Sequence, residues 1–133
     1  MTREKTRVIG IVIKEGKLLM LKGRGYKELW TPGGKMEVGE IDEETLKREL
    51  KEELHVILKD CKFFKEYSGK SFYGDAMVRE RVYITTIAGE ITPSAEIESH
   101  LWLSREDFES HKYPMIPITE KEIIPDLIKA KIF

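Results

Sequence analysis

The chain has 133 residues and a formal net charge of −1, with 41% hydrophobic and 35% charged residues. That length predicts a single domain over residues 1–133, large enough to bury about two-thirds of its unfolded surface. The balanced charge excludes a global attraction to nucleic acid polymers or membrane surfaces. No apolar run is long enough to span a bilayer. One cysteine, Cys61, excludes an internal disulfide framework and fits a reducing cytoplasm. The start, MTREKTRV, lacks the apolar core of a signal peptide.

Residues 7–21 read as a β-hairpin. Val8, Ile9, Ile11, Val12 and Ile13 are β-rich, Glu15-Gly16 is the turn, and residues 18–21 return. Both runs are nearly all apolar, which predicts a sheet covered on both faces. Residues 22–29 form a basic loop with Arg24, Tyr26 and Lys27. The Pro32-Gly33-Gly34 turn follows, where bare backbone can approach a ligand closely. Lys35 lies just after it.

The spacing then predicts a helix. Asp42 is the expected cap, and Leu46, Leu50 and Leu54 make an apolar stripe. Glu49, Glu52 and Glu53 stand at i, i+3 and i+4, on one side and next to the leucines. Like charges at that spacing cost roughly 0.2–0.5 kcal/mol per pair. A hard cation such as Mg²⁺ reverses the sign, since it takes oxygen ligands. The plain alternative is a solvated acidic face, helped by Glu44–Arg48 and Glu43–Lys47 pairs.

Beyond the helix, residues 56–58 and 61–67 read as short strands, 69–74 as a loop with exposed aromatics, and 76–88 as the longest strand. Gly89-Glu90 turns the chain, and Leu101-Trp102-Leu103 is a short strand. Ser104 caps a short helix with Asp107 in the capping-box position. Thr119 and Glu122 form a second box before a last helix that Pro125 kinks or delays. Strands, one helix, more strands and a terminal helix predict an α/β fold, with a mixed sheet between helices.

The stretch 34–56 resembles the signature of the Nudix hydrolases, G-x5-E-x7-R-E-U-x-E-E-x-G-U, where U is bulky and aliphatic. Gly34, Glu40, Arg48, Glu49, Leu50, Glu52, Glu53 and Val56 match in register. His55 stands where the family has Gly, which puts the helix exit in question. The rhythm from Gly89 to Asp107 looks like the small MutT-like members. The resemblance implies an α/β/α sandwich with a mixed β-sheet. It also implies a Mg²⁺-dependent (or Mn²⁺-dependent) pyrophosphohydrolase acting on a nucleoside diphosphate linked to a further group.

On that resemblance Glu52, Glu53 and the Gly33 carbonyl bind metal. Glu49 is a metal ligand or the general base, held ionised by nearby cations, and Glu98 is a second candidate base ahead of Glu96. Lys35 stabilises the leaving phosphate, and Arg48 orients Glu40 or another motif carboxylate. Arg24, Lys35, Tyr26 and Tyr73 are the candidate substrate contacts, with Phe72 and Trp102 further candidates for stacking against a base. The mechanism needs no imidazole, so His55, His100 and His111 read as structural or solvated, and Cys61 as a core thiol.

The diadenosine polyphosphate branch of the family has a Tyr near the position of Tyr73. The ADP-ribose branch has a Pro where Phe72 stands. Small size and overall pattern favour a nucleoside triphosphate, including oxidised ones, giving NMP and pyrophosphate. Dinucleoside polyphosphates and nucleotide sugars are the alternatives, as is a non-catalytic module that senses a nucleotide. Dimers are common among relatives, but no stretch identifies an interface.

Overall fold

The structure, a computed structural model, describes residues 4–133. Residues 1–3, part of the start read from sequence as lacking a signal peptide, lie outside them. Strand β1 (Glu4–Ile11) occupies the interior of a mixed sheet. It pairs antiparallel with β4 (Gly33–Lys35) and parallel with β6 (Met77–Ala88), and β6 pairs antiparallel with β5 (Ile57–Lys70). A second, antiparallel sheet holds β2 (Ile13–Lys14), β3 (Lys17–Gly23) and β7 (Ile97–Leu103) in the order β2-β3-β7.

The apolar runs explain this arrangement. Along β1 and its exit, Val8 and Val12 face one core cluster while Ile9 and Ile11 face another. Along β3, Leu19 and Leu21 join the first while Leu18 and Met20 join the second. Helix α1 (Asp42–Leu54) covers the first cluster with Leu46, Leu50 and Leu54, all fully buried. The C-terminal helix covers the second with Ile123, Ile124 and Leu127. Strands covered on both faces need such uninterrupted apolar sequence. The fold is thus α/β, with a mixed sheet between helices.

The expected 7–21 hairpin is corrected. The turn is at Glu15-Gly16 with positive φ at both residues, but only β2 and β3 flank it. The chain changes sheets at Val12, so the first strand finds its parallel partner more than seventy positions later, Arg7 opposite Glu80. The two short strands expected after α1 are one strand, β5, interrupted by irregular register between Leu58 and Asp60 and between Phe63 and Lys65. Such bulges re-aim side chains without ending a strand.

Two caps are also corrected. Ile41, not Asp42, is the N-cap of α1, and Glu44 reaches back to the Ile41 N–H at 3.0 Å. That contact occupies the Glu44 carboxylate expected to pair with Arg48. Asp42 instead accepts from Arg81 and from the Tyr83 hydroxyl, tying the helix start to β6. Ser104 and Asp107 do form the predicted box at the start of helix α2 (Arg105–Glu109).

Thr119 caps nothing. The last helix starts at 117, widens into a π turn (Thr119–Ile123) and continues as α3 (Ile124–Lys129). Pro125 has no N–H to give and crowds the preceding turn, and a wider turn just before it relieves both.

At the other end of α1, His55 takes the left-handed conformation at φ 58° and ψ 32°, and its N–H donates to the Lys51 carbonyl. The helix exit of the motif is thus kept without its glycine, against the steric cost of a side chain there. His55→Gly is expected to raise stability by about 0.5–1 kcal/mol. The urea midpoint checks it, and a lower midpoint would mean that the imidazole contributes a compensating contact.

Candidate active site

The turn before α1 and the acidic face of α1 meet at the edge of the mixed sheet. Gly33 has φ 133°, and a Cβ there would lie 2.1 Å from the Val8 carbonyl oxygen. A Cβ on Gly34 would lie 2.3 Å from Cδ of Glu49. The glycines are therefore steric requirements: they let the Glu49 carboxylate lie against the backbone of β4. Glu53, 3% exposed, accepts from the Gly33 N–H at 3.2 Å. Glu49 is largely buried, while Glu52, 57% exposed, faces solvent.

Arg48 organises these acids. Its guanidinium grips Glu40 with two bonds, Nε to Oε2 at 2.7 Å and Nη2 to Oε1 at 3.0 Å. Nη1 donates to Glu49 at 2.9 Å and lies 3.4 Å from Glu52, and Nη2 donates to the Lys35 carbonyl at 3.0 Å. Glu40 also accepts from the Glu37 N–H and the Thr45 hydroxyl. Hydrogen bonding from Arg48 lowers the Glu40 carboxyl to about 2, with the Glu37 N–H next in effect. The pairing read from sequence for Arg48 is present in the structure, and it reaches Glu49 as well.

The buried acids move the other way. Burial raises Glu53 to about 8 against the Gly33 N–H, with Glu49 and Glu96 adding to the rise. Burial also raises Glu49, outweighing Arg48. The cations expected to keep Glu49 ionised, Arg48 and Arg7, do pull its carboxyl down, and desolvation works against them in the protein alone.

Buried carboxylates that hold their charge poorly are what a divalent cation would relieve. Among the described residues no three acidic, histidine or cysteine side chains converge on one point. That does not disqualify the set, since Mg²⁺ uses one or two carboxylates and fills its shell with water and phosphate oxygens. Glu53 and Glu49, with Glu52 at the solvent edge, fit such a cation.

A cleft of about 610 Å³ opens in front of these groups. Gly33, Gly34, Lys35, Glu49 and Glu53 line one end. One wall is aromatic: Tyr26 packs against Tyr73 with tilted rings 4.7 Å apart, Phe72 packs edge-on to Tyr73, and Trp30 edge-on to Tyr26. The Tyr73 hydroxyl donates to Glu28 at 3.0 Å, which joins the two loops forming the wall. The cleft therefore places a surface for a flat ring beside acids suited to a cation.

Other candidates lie elsewhere. Arg24 donates to the Ala95 carbonyl and does not line the cleft. Glu98 is bridged to Lys22 at 2.8 Å outside the cleft, whereas Glu96, ranked below it from sequence, lines it. Trp102 is half-buried against the α1-side core. Sequence reasoning missed Arg7 and Glu80, both lining the cleft. The available signal was a charge at an inward period-2 position: Arg7 precedes Ile9 and Ile11 on one face of β1, and Glu80 sits between Val78 and Val82 on β6.

The chain matches the NUDIX domain family over residues 3–127. It belongs to the Nudix family. The chain is also 35% identical over 133 residues to the 8-oxo-dGTP diphosphatase of Buchnera aphidicola subsp. Schizaphis graminum (strain Sg), covering 95% of each chain. Among solved structures it resembles a NUDIX hydrolase from Nitrosomonas europaea, with TM-score 0.82 and 17% identity, over 97% of this chain and 91% of that one.

A MutT structure from work on Aliivibrio salmonicida and Vibrio cholerae superposes with TM-score 0.78 and 19% identity, over 96% of this chain and 99% of that one. The protein is a MutT-like Nudix pyrophosphohydrolase, as the motif implied, in a family that depends on divalent metal. No helix among the described residues is long and apolar enough to cross a membrane.

Proposed function

We propose that this Nudix enzyme hydrolyses an oxidised purine nucleoside triphosphate, 8-oxo-dGTP first among candidates, to the monophosphate and pyrophosphate. The observation that carries this is the union of Glu49 and Glu53 against the Gly33-Gly34 backbone with an aromatic wall across the cleft. The Buchnera relative supports the oxidised guanine nucleotide in particular.

In this reading Glu52, Glu53 and the Gly33 carbonyl would hold Mg²⁺, or Mn²⁺ in its place. When bound, such a cation polarises phosphoryl oxygens and lowers the pKa of water beside it. Glu49 takes the proton of the attacking water, with Arg48 fixing its orientation. Glu96 replaces Glu98 as the second candidate base, because it lines the cleft. Lys35 neutralises the leaving pyrophosphate. Tyr26 and Tyr73 stack against the base. The single thiol fits a reducing cytoplasmic setting.

The test is a release assay for phosphate and pyrophosphate over nucleoside triphosphates, 8-oxo-dGTP, dinucleoside polyphosphates and nucleotide sugars, with Mg²⁺ and with chelator. Metal-dependent pyrophosphate release, fastest from 8-oxo-dGTP, is expected. Turnover confined to another class overturns the substrate. Silence throughout, with nucleotide still bound, makes the chain a sensing module.

A further inference from the structure

Three residues form one row across the mixed sheet on the cleft side. Lys35 on β4 pairs with Arg7 on β1, and Arg7 pairs with Glu80 on β6. All three line the cleft. Strands lie about 4.8 Å apart, so the row runs roughly 10 Å from the motif carboxylates toward the cleft interior. Its middle residue, Arg7, is close enough to act on the charge of both Glu49 and Glu53, where phosphates would sit. Its acidic end is Glu80, with a side chain only 13% exposed.

Glu80 has no part in the motif. Among the described residues no group donates a hydrogen bond to it. Its cationic neighbour, Arg7, stands off at 3.9 Å, and Glu122 of the facing π turn adds negative charge nearby. Ile9, Val78 and Ile118 line the same part of the cleft. Because no buried side-chain oxygen among the described residues is left unpaired, the Glu80 carboxylate is open to the cleft, where a ligand can supply the donors it lacks.

We propose that Glu80 is a specificity-determining residue that reads the Watson–Crick edge of a guanine base. This rests on the nucleotide substrate proposed above. Guanine presents N1–H and the 2-amino group side by side, two donors for two carboxylate oxygens. Adenine presents one donor beside a ring nitrogen that accepts, which would face a carboxylate oxygen unpaired. Oxidation at the 8 position leaves this edge unchanged, so Glu80 selects guanine without sensing the lesion. Burial raises the Glu80 carboxyl, and Arg7, between the phosphate end and Glu80, works against that rise, toward the ionised form that this pairing needs.

Calorimetric titration of GMP, IMP and AMP, in Mg²⁺ buffer, tests the assignment on the wild type and on Glu80→Gln. The wild type is expected to bind GMP about tenfold or more tighter than AMP, with IMP, which lacks the 2-amino donor, in between. In Glu80→Gln the GMP-to-AMP ratio falls to within about threefold of unity.

Equal wild-type affinities for GMP and AMP, IMP as tight as GMP, or an unchanged ratio in the variant each overturn the role. So does failure to bind any of the three. Should the variant not fold, the wild-type comparison of GMP with IMP decides alone. The release assay keeps the two proposals apart. Discrimination without hydrolysis overturns the reaction and leaves Glu80 its role, whereas hydrolysis with discrimination untouched by Glu80→Gln overturns only the role.

Discussion

Glu53→Gln is expected to lower turnover by roughly 10²–10⁴-fold while the protein stays folded. It is also expected to stabilise the chelated protein at alkaline pH. The sign follows from burial. Glu53 is raised from an ordinary 4.5 to about 8, so the native state keeps a proton that the unfolded chain releases. Between those two values the native state binds more protons, and stability falls as pH rises. Gln carries no such charge.

Urea unfolding in chelator at pH 5 and pH 8 should therefore show wild type losing stability across the window. Glu53→Gln should lose less, with a difference on the order of a few kcal/mol at pH 8. Added Mg²⁺ should restore the wild type and leave the variant unmoved. Full activity in the variant would defeat the metal assignment, and parallel pH slopes would defeat the account of burial.

The second large effect is expected at Arg48. Arg48→Ala removes the fork on Glu40 and the bond to Glu49, leaving two part-buried carboxylates without their main partner. A loss of about 2–3 kcal/mol follows, below the full cost of breaking a buried pair because the site is partly open to water. Turnover should fall about 100-fold, since Glu49 loses its orientation. Arg48→Lys restores a charge but not the planar fork, so it should recover only part of each loss. Urea unfolding and steady-state rates read both, and a Lys variant equal to wild type would show that charge alone suffices.

The parts of the site legible in sequence were those set by local spacing. The i, i+3, i+4 carboxylates, Arg48 and the paired glycines all lie within about twenty residues, and one helix and one turn fix their relations. The leucine stripe was legible for the same reason. What escaped depends on partners distant in the chain. Nothing near Asp42 says that Arg81 and Tyr83 will take its carboxylate from the cap.

Likewise, nothing near Glu15-Gly16 says that β1 will leave the hairpin for β6. Arg7 and Glu80 meet only through that pairing, and Glu96 and Glu98 could not be told apart until Lys22 was placed beside one of them. Thr119 looked like a cap because its sequence offered the right side chains. Pro125 decided otherwise through the backbone.

The parallel pairing of β1 with β6 also has a consequence for synthesis. Residues 4–11 leave the ribosome well before residues 77–84, the segment they must lie beside. Until then β1 has β4 as its one available neighbour in the mixed sheet, a strand of three residues. The interior strand of that sheet thus waits as an apolar, half-unpaired edge, the kind of segment that aggregates or recruits a chaperone. Because the closing contact spans more than half the chain, its loop entropy must be met before the sheet rewards it. Refolding at rising protein concentration should lose yield through this strand first.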